Sequence, residues 1–92
     1  MGTEILGEVS AVIEDRRGRP KEGSYVSNLL ASGRVLEKID EEARELVEAA
    51  QCSERQAIVH EAADLIFHTM VLLAVKGVKL EEVMEELQRR RR

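Results

Sequence analysis

Residues 53–77 read SERQAIVHEAADLIFHTMVLLAVKG, and their pattern decides the fold. Ala57, Ile58, Val59, Ala62, Ala63, Leu65, Ile66, Phe67, Met70, Val71, Leu72 and Leu73 point in nearly every direction around a helical wheel, without the strict alternation of a strand. The spacing predicts one long helix. Ser53 with Gln56 three residues on reads as a capping box that opens it, and Gly77 ends it. A helix that is apolar all round has to be buried. A chain of 92 residues offers too little surface for that, because small domains hide a smaller share of their surface. A second copy is therefore expected to cover the remainder, as a homodimer. The longest apolar stretch, Leu65 to Val75, is broken by His68 and Thr69 and falls short of the roughly 20 residues of a membrane span. The expectation is a core helix, with no membrane as partner.

Working outward, Cys52 and Ser53 leave room for only a tight turn, which predicts an antiparallel hairpin with a preceding helix from about Arg34 to Gln51. Its inward face is expected to hold Val35, Ile39, Ala43, Leu46 and Ala50, with Lys38, Glu42 and Glu45 along the edge. Further upstream, Thr3 reads as the N-cap of a helix carrying Ile5, Leu6, Val9, Val12 and Ile13 and ending before Gly18 and Pro20. Ser24 is placed to cap a short helix through Ala31, stopped by Gly33. A last helix, Leu80 to Arg90, turns Leu80, Val83, Met84 and Leu87 inward and Glu81, Glu82, Glu85 and Glu86 outward. The fold class that follows is all-α: an antiparallel helical bundle of four principal helices plus a short one, in a single domain over residues 1–92, completed by dimerisation.

Composition removes several function classes. One Tyr, one Phe and no Trp leave no stacking platform for single-stranded nucleic acid. A net charge of −4 with acids and bases interspersed argues against nucleic acid as the partner. The lone Cys52 forms no internal disulfide and reads as an incidental residue at a helix junction. Glu4, Glu8, Glu14 and Asp15 leave the start without a secretory leader, so a reducing, cytoplasmic setting is expected. Basic residues cluster in the loop Arg16, Arg17, Arg19, Lys21 and in the tail Arg89 to Arg92, which reads as a solvated end.

Within the apolar helix stand Glu61, Asp64 and His68, spaced i, i+3, i+7 on one stripe. Burying unpaired carboxylates costs several kcal/mol or forces protonation, on the order given by transfer energies. Glu42 and Glu45 repeat the i, i+3 spacing on the neighbouring helix, and the hairpin is able to bring the two pairs face to face. Four clustered carboxylates raise one another's pKa values unless a cation lies between them. Hard oxygen ligands select Mg²⁺, Mn²⁺ or Ca²⁺, and Mg²⁺ keeps waters and is completed by substrate phosphates. Two readings stay open on the residues alone: a metal site for phosphate chemistry, or a solvated acidic face at Glu41, Glu42, Glu45 and Glu48, with Lys38 and Arg44 neutralising Glu61 and Asp64.

The chain resembles the phosphoribosyl-ATP pyrophosphohydrolases of the all-α nucleotide pyrophosphohydrolase superfamily. The resemblance spans nearly the entire chain. It is carried by Glu8-Val9 through Val12-Ile13-Glu14-Asp15-Arg16-Arg17, by Pro20-Lys21-Glu22-Gly23-Ser24-Tyr25, by Leu29-Leu30, by Lys38-Ile39-Asp40-Glu41-Glu42-Ala43-Arg44-Glu45, and by Glu61-Ala62-Ala63-Asp64-Leu65-Ile66-Phe67-His68 with Gly77 beyond. Its departures are a short stretch between Gly33 and Lys38, Asp40 where Gly is frequent, and Asn28 where a basic residue is frequent.

The resemblance implies Mg²⁺-dependent hydrolysis of phosphoribosyl-ATP to phosphoribosyl-AMP and pyrophosphate, the second step of histidine biosynthesis. The superfamily's E-x-x-E and E-x-x-D signature falls on Glu42, Glu45, Glu61 and Asp64 as metal ligands. Glu41 and Glu45 are the candidate catalytic carboxylates, Glu41 as the group that orients or deprotonates water. Lys38, Ser24, Tyr25 and Arg16 are the candidate contacts to the nucleotide substrate. Against these stand an ion pair between Lys38 and Glu42, a capping role for Ser24, a core role for Tyr25, a solvated loop at Arg16 and a hydrogen-bonded core role for His68. Two alternatives remain for the whole chain: a house-cleaning nucleoside triphosphate pyrophosphohydrolase, or a non-enzymatic helical dimerisation module.

Overall fold

The computed structural model describes residues 2–91; Arg92, the last residue of the basic tail, lies outside them. Five helices follow in order: α1 (Glu4–Gly18), α2 (Tyr25–Ser32), α3 (Val35–Cys52), α4 (Arg55–Val75) and α5 (Leu80–Arg90). The all-α class is as expected, and most element boundaries fall within a residue or two of the sequence reading; Arg16 and Arg17, read there as part of a basic loop, are instead in the last turn of α1, where their charge suits the helix's C-terminal end.

The most extensive interhelical contact joins α3 to α4, the expected hairpin. Its turn is built differently from the expectation. Ser53 does not cap α4. It sits at φ 57, left-handed, and ends α3 by sending its N–H to the carbonyl of Ala50. The N-cap of α4 is Glu54, whose carboxylate accepts from the N–H of Gln56 at 3.2 Å. A side chain one position later thus supplies the acceptor, because a residue already turned left-handed to close one helix lacks the extended backbone that a cap of the next requires.

At the other starts, Ser24 caps α2 as expected, its hydroxyl accepting from the N–H of Ser27. Gly33, at φ 72, ends α2. Thr3 precedes α1 without a side-chain cap bond, and α1 continues through Gly18 instead of stopping before it. At α5 the carboxylate of Glu82 accepts from the backbone N–H of Lys79 at 3.0 Å.

The core gathers Ile13 from α1, Val26 and Leu29 from α2, Val35 from α3, and Met70, Val71 and Ala74 from α4. Four helices therefore meet at the C-terminal half of α4. On α3 it is Ala49, not Ala50, that is buried, so the inward stripe turns by one position toward the end of the helix. On α5 no residue is fully buried, and Met84 and Leu87 are exposed where an inward face was expected.

Helix α4 is only partly covered. Its length and apolarity would suffice to cross a membrane, and in one chain only His68, Met70, Val71 and Ala74 are fully buried. Val59 is 64% and Ile66 51% exposed. A single chain thus leaves part of this helix uncovered, as the sequence reading expects of a chain this short. Val47 on α3 and Val59 on α4 stand equally far from the turn at Ser53 and are both exposed, so the hairpin carries an open apolar face.

Candidate active site

The hairpin register decides which acids can meet. Glu42 and Asp64 stand equally far from the turn at Ser53, and so do Glu45 and Glu61. In an antiparallel pair these residues lie at the same height. Helical i, i+3 spacing keeps each pair on one face. The structure accordingly brings carboxylate oxygens of Glu42, Glu45 and Glu61 within 4.8 Å of one another. A second group, at the same separation, joins Glu61 to Asp64 and His60. Glu61 is common to both.

The electrostatics of this group are unfavourable without a positive charge. Glu42 is 5% exposed. Burial first, then the nearby Glu45 and Asp64, pushes its carboxyl above the ordinary glutamate range, while His68 and Lys38 oppose the shift. Glu42 Oε2 and Glu61 Oε1 are buried and have no hydrogen-bond partner. Buried polar atoms are paired in the great majority of cases, so two orphaned oxygens in one acidic group require an explanation. Hard oxygen donors at this spacing are of the kind that could hold a divalent ion.

The neutralising partners considered from sequence are engaged elsewhere. Arg44 pairs with Asp40 at 3.2 Å, on the exposed side of α3. Lys38 lies 3.2 Å from Glu41 and 3.7 Å from Glu42 Oε1, which leaves the other oxygen of Glu42 open. Asp64 has the imidazole of His60 at 3.3 Å. His60 received no role from the sequence; the signal was its i, i+4 spacing to Asp64, on a helix where His68 drew more notice.

The remaining candidates are held locally. Glu41 is bonded to Lys38 and half exposed at the flank of the group. Arg16 is bonded through Nη1 to Asp15 Oδ2 at 2.7 Å, and Asp15 also holds Arg19. Ser24 serves as the cap of α2. Tyr25 is half exposed, and its hydroxyl lies 2.8 Å from His68 Nε2. His68 is buried and hydrogen-bonded, the core role weighed for it from sequence. A separate groove of about 360 Å³ between α1, α4 and the start of α5, floored by Ile13, Met70 and Leu80, shares no residue with the carboxylate group.

Residues 6–91 match the family model described as phosphoribosyl-ATP pyrophosphohydrolase. The chain belongs to the phosphoribosyl-ATP pyrophosphohydrolase family. Among relatives of this family, the protein named phosphoribosyl-ATP pyrophosphatase of Methanocella arvoryzae is 50% identical over 93 residues, covering 97% of this chain and 98% of that protein. Proteins of the same name from Metallosphaera sedula and Clostridium acetobutylicum are 44% and 42% identical, covering 96% and 95% of this chain and 97% and 81% of their own lengths.

Proposed function

We propose that this chain hydrolyses phosphoribosyl-ATP to phosphoribosyl-AMP and pyrophosphate, the second step of histidine biosynthesis, with Mg²⁺ bound between α3 and α4. The observation that carries the reading is the pair of buried, unpartnered oxygens on Glu42 and Glu61 in a group of three converging carboxylates. Family membership and the names of the relatives support the substrate.

Glu42, Glu45, Glu61 and Asp64 would hold the ion. Bound there, Mg²⁺ would draw phosphate oxygens to the site, offset their charge and lower the pKa of a coordinated water. Water adds across the anhydride between the α and β phosphates: its oxygen bonds to one phosphorus as the bridging P–O bond to that phosphorus breaks, the bridging oxygen leaves with the other product, and the two protons of water pass to the products or to solvent, giving phosphoribosyl-AMP and pyrophosphate. Glu41, half exposed at the rim, is the candidate to orient that water or take its proton. Lys38 now ties Glu41 to Glu42; its flexible ammonium suits a phosphate oxygen, and moving to one would release Glu41. Ser24 and Tyr25 place the start of α2 beside this region, and Arg16 is the candidate for the phosphate of the ribosyl end.

We also infer a homodimer, in which the exposed face carrying Val47, Val59 and Ile66 packs on its counterpart in a second copy. Each chain forms a single domain and works in the cytoplasm. Burying this face would complete the bundle around α4 and account for a helix apolar on every side.

The substrate is tested with phosphoribosyl-ATP and a panel of canonical and modified nucleoside triphosphates, following products by ³¹P NMR. Pyrophosphate from phosphoribosyl-ATP and little from the panel is the expected result. Turnover confined to another triphosphate would transfer the chain to house-cleaning chemistry, and no turnover would leave a dimerisation module.

A further inference from the structure

The groups that converge between α3 and α4 form two overlapping triads. Glu42, Glu45 and Glu61 offer ligand atoms within 4.8 Å of one another, and so do His60, Glu61 and Asp64. The first triad is all carboxylate, the donor set that suits Mg²⁺. The second contains an imidazole, whose Nε2 lies 3.3 Å from Asp64 Oδ2 while the side chain is 71% exposed.

A histidine and an aspartate at i, i+4 are close neighbours on any helix surface, and an exposed pair of this kind contributes little to stability. Such pairing leaves the third member of the triad unexplained. Glu61 Oε1 is buried without a hydrogen-bond partner, and so is Oε2 of Glu42, a residue 5% exposed that converges with Glu61 in the first triad. The contact of His60 with Asp64 satisfies neither oxygen. Its length is also wide for a charge-assisted hydrogen bond, which draws in to about 2.7–2.9 Å. It matches two atoms that bind one metal, because ligands at about 2.0–2.1 Å on a tetrahedral zinc stand roughly 3.3 Å apart. Three nitrogen and oxygen donors with a fourth position open to solvent is a coordination that zinc accepts.

We infer that His60, Glu61 and Asp64 form a second cation position, selective for a borderline transition metal such as Zn²⁺ over Mg²⁺, with His60 as the residue that sets the selectivity. This rests on the reading of the carboxylate group as a metal site, since Glu61 is shared. Imidazole nitrogen is a good ligand for Zn²⁺, whereas Mg²⁺ takes oxygen donors and keeps its waters. The two ends of the group are thereby divided by ion type: oxygen alone on the buried side at Glu42, and nitrogen with oxygen on the exposed side at His60. Because the ring is exposed, replacing it removes a donor without opening the core.

The test uses Zn²⁺ and Mg²⁺ alone, without nucleotide, on the metal-free protein in wild type, His60→Ala and Glu61→Gln. Affinities come from isothermal titration calorimetry, and imidazole ¹⁵N shifts are recorded with each ion. The expected result is a His60 ring nitrogen that moves to the metal-bound range with Zn²⁺ and not with Mg²⁺, and that fails to move in Glu61→Gln. In His60→Ala the ratio of Zn²⁺ to Mg²⁺ affinity should fall about tenfold or more, at least the effect of a group one hydrogen bond removed from a metal. A His60 nitrogen unmoved by Zn²⁺, a shift that persists in Glu61→Gln, or an unchanged affinity ratio in His60→Ala would overturn the inference alone. Failure of wild type to bind either ion would overturn the metal reading, and this inference with it.

Discussion

Glu42 on α3 and Glu61 on α4 face each other across the hairpin with carboxylate oxygens within 4.8 Å, and each keeps one buried oxygen without a partner. The arrangement is costly for an empty protein and suited to one that binds a cation. Glu61→Gln removes a charge from both acidic groups at once, and Glu42→Gln removes the most buried one. Each is expected to lower pyrophosphate release by more than the roughly 10- to 100-fold typical of groups one hydrogen bond removed from a metal. Steady-state rates at saturating Mg²⁺ check this; retention of more than a tenth of the rate in either variant would contradict it.

Mg²⁺ should stabilise the fold by mass action, because the converging carboxylates exist only in the native chain. At a free concentration of about 100 times the dissociation constant the gain is about 2.7 kcal/mol. For a domain of this size that corresponds to a rise in Tm of roughly 10–20 °C. Thermal melts with Mg²⁺ and with chelator check it, and Glu42→Gln should show little of the rise.

The metal-free protein should respond to pH in the sense opposite to a salt-bridged acid. Glu42 is raised, chiefly by burial and then by Glu45 and Asp64, so the folded state holds this proton more tightly than the unfolded chain. Its contribution is fully present below the unfolded value, about 4.3 for glutamate, and is lost as pH rises through the folded value. Asp15 and Glu86, held low by arginine partners, act in the opposite sense, their contribution being lost as pH falls through their depressed values. The difference between wild type and Glu42→Gln isolates Glu42: in chelator, urea denaturation should show the wild type losing stability relative to the variant as pH rises above the unfolded value of about 4.3. A gap that does not widen with pH would count against the shift.

Much of this was legible in the sequence because two periodicities agree. The hydrophobic pattern located the hairpin, and the i, i+3 acid pairs on its two helices pointed to the group in which Glu42, Glu45 and Glu61 converge. What sequence could not supply was the side-chain bookkeeping of three dimensions. Ser53 looked like a cap because serine usually is one, and only the backbone shows it left-handed at φ 57. The inward stripe of α3 drifted by one residue to Ala49, and α5 proved largely uncovered, since wheel positions say which face is apolar but not what lies against it. The roles of His60 and of the Tyr25–His68 pair depend on contacts between ring nitrogens and neighbours that spacing leaves undetermined.

The turn residue offers a stability test. A non-glycine residue in the left-handed region costs roughly 1–2 kcal/mol, partly offset by the entropy that glycine loses on folding. Ser53→Gly should stabilise the protein by up to about 1 kcal/mol in urea denaturation, leaving activity in place. Destabilisation would show that the serine side chain contributes more than its backbone costs.

The open hairpin face gives a further prediction. Ile66→Asp places a charge in the proposed contact between copies, so sedimentation should shift from dimer to monomer and the melting temperature should fall. A wild-type chain that sediments as a monomer at micromolar concentration would contradict the dimer.

The most direct test of the account is pyrophosphate release from phosphoribosyl-ATP, measured with Mg²⁺, after chelation, and again on restoring Mg²⁺, in wild type and Glu61→Gln side by side. The account predicts release that stops on chelation, returns with Mg²⁺ and is nearly absent from the variant. Release that continues undiminished in chelator, or at the wild-type rate in Glu61→Gln, would contradict the central claim that the α3–α4 carboxylates hold the catalytic cation.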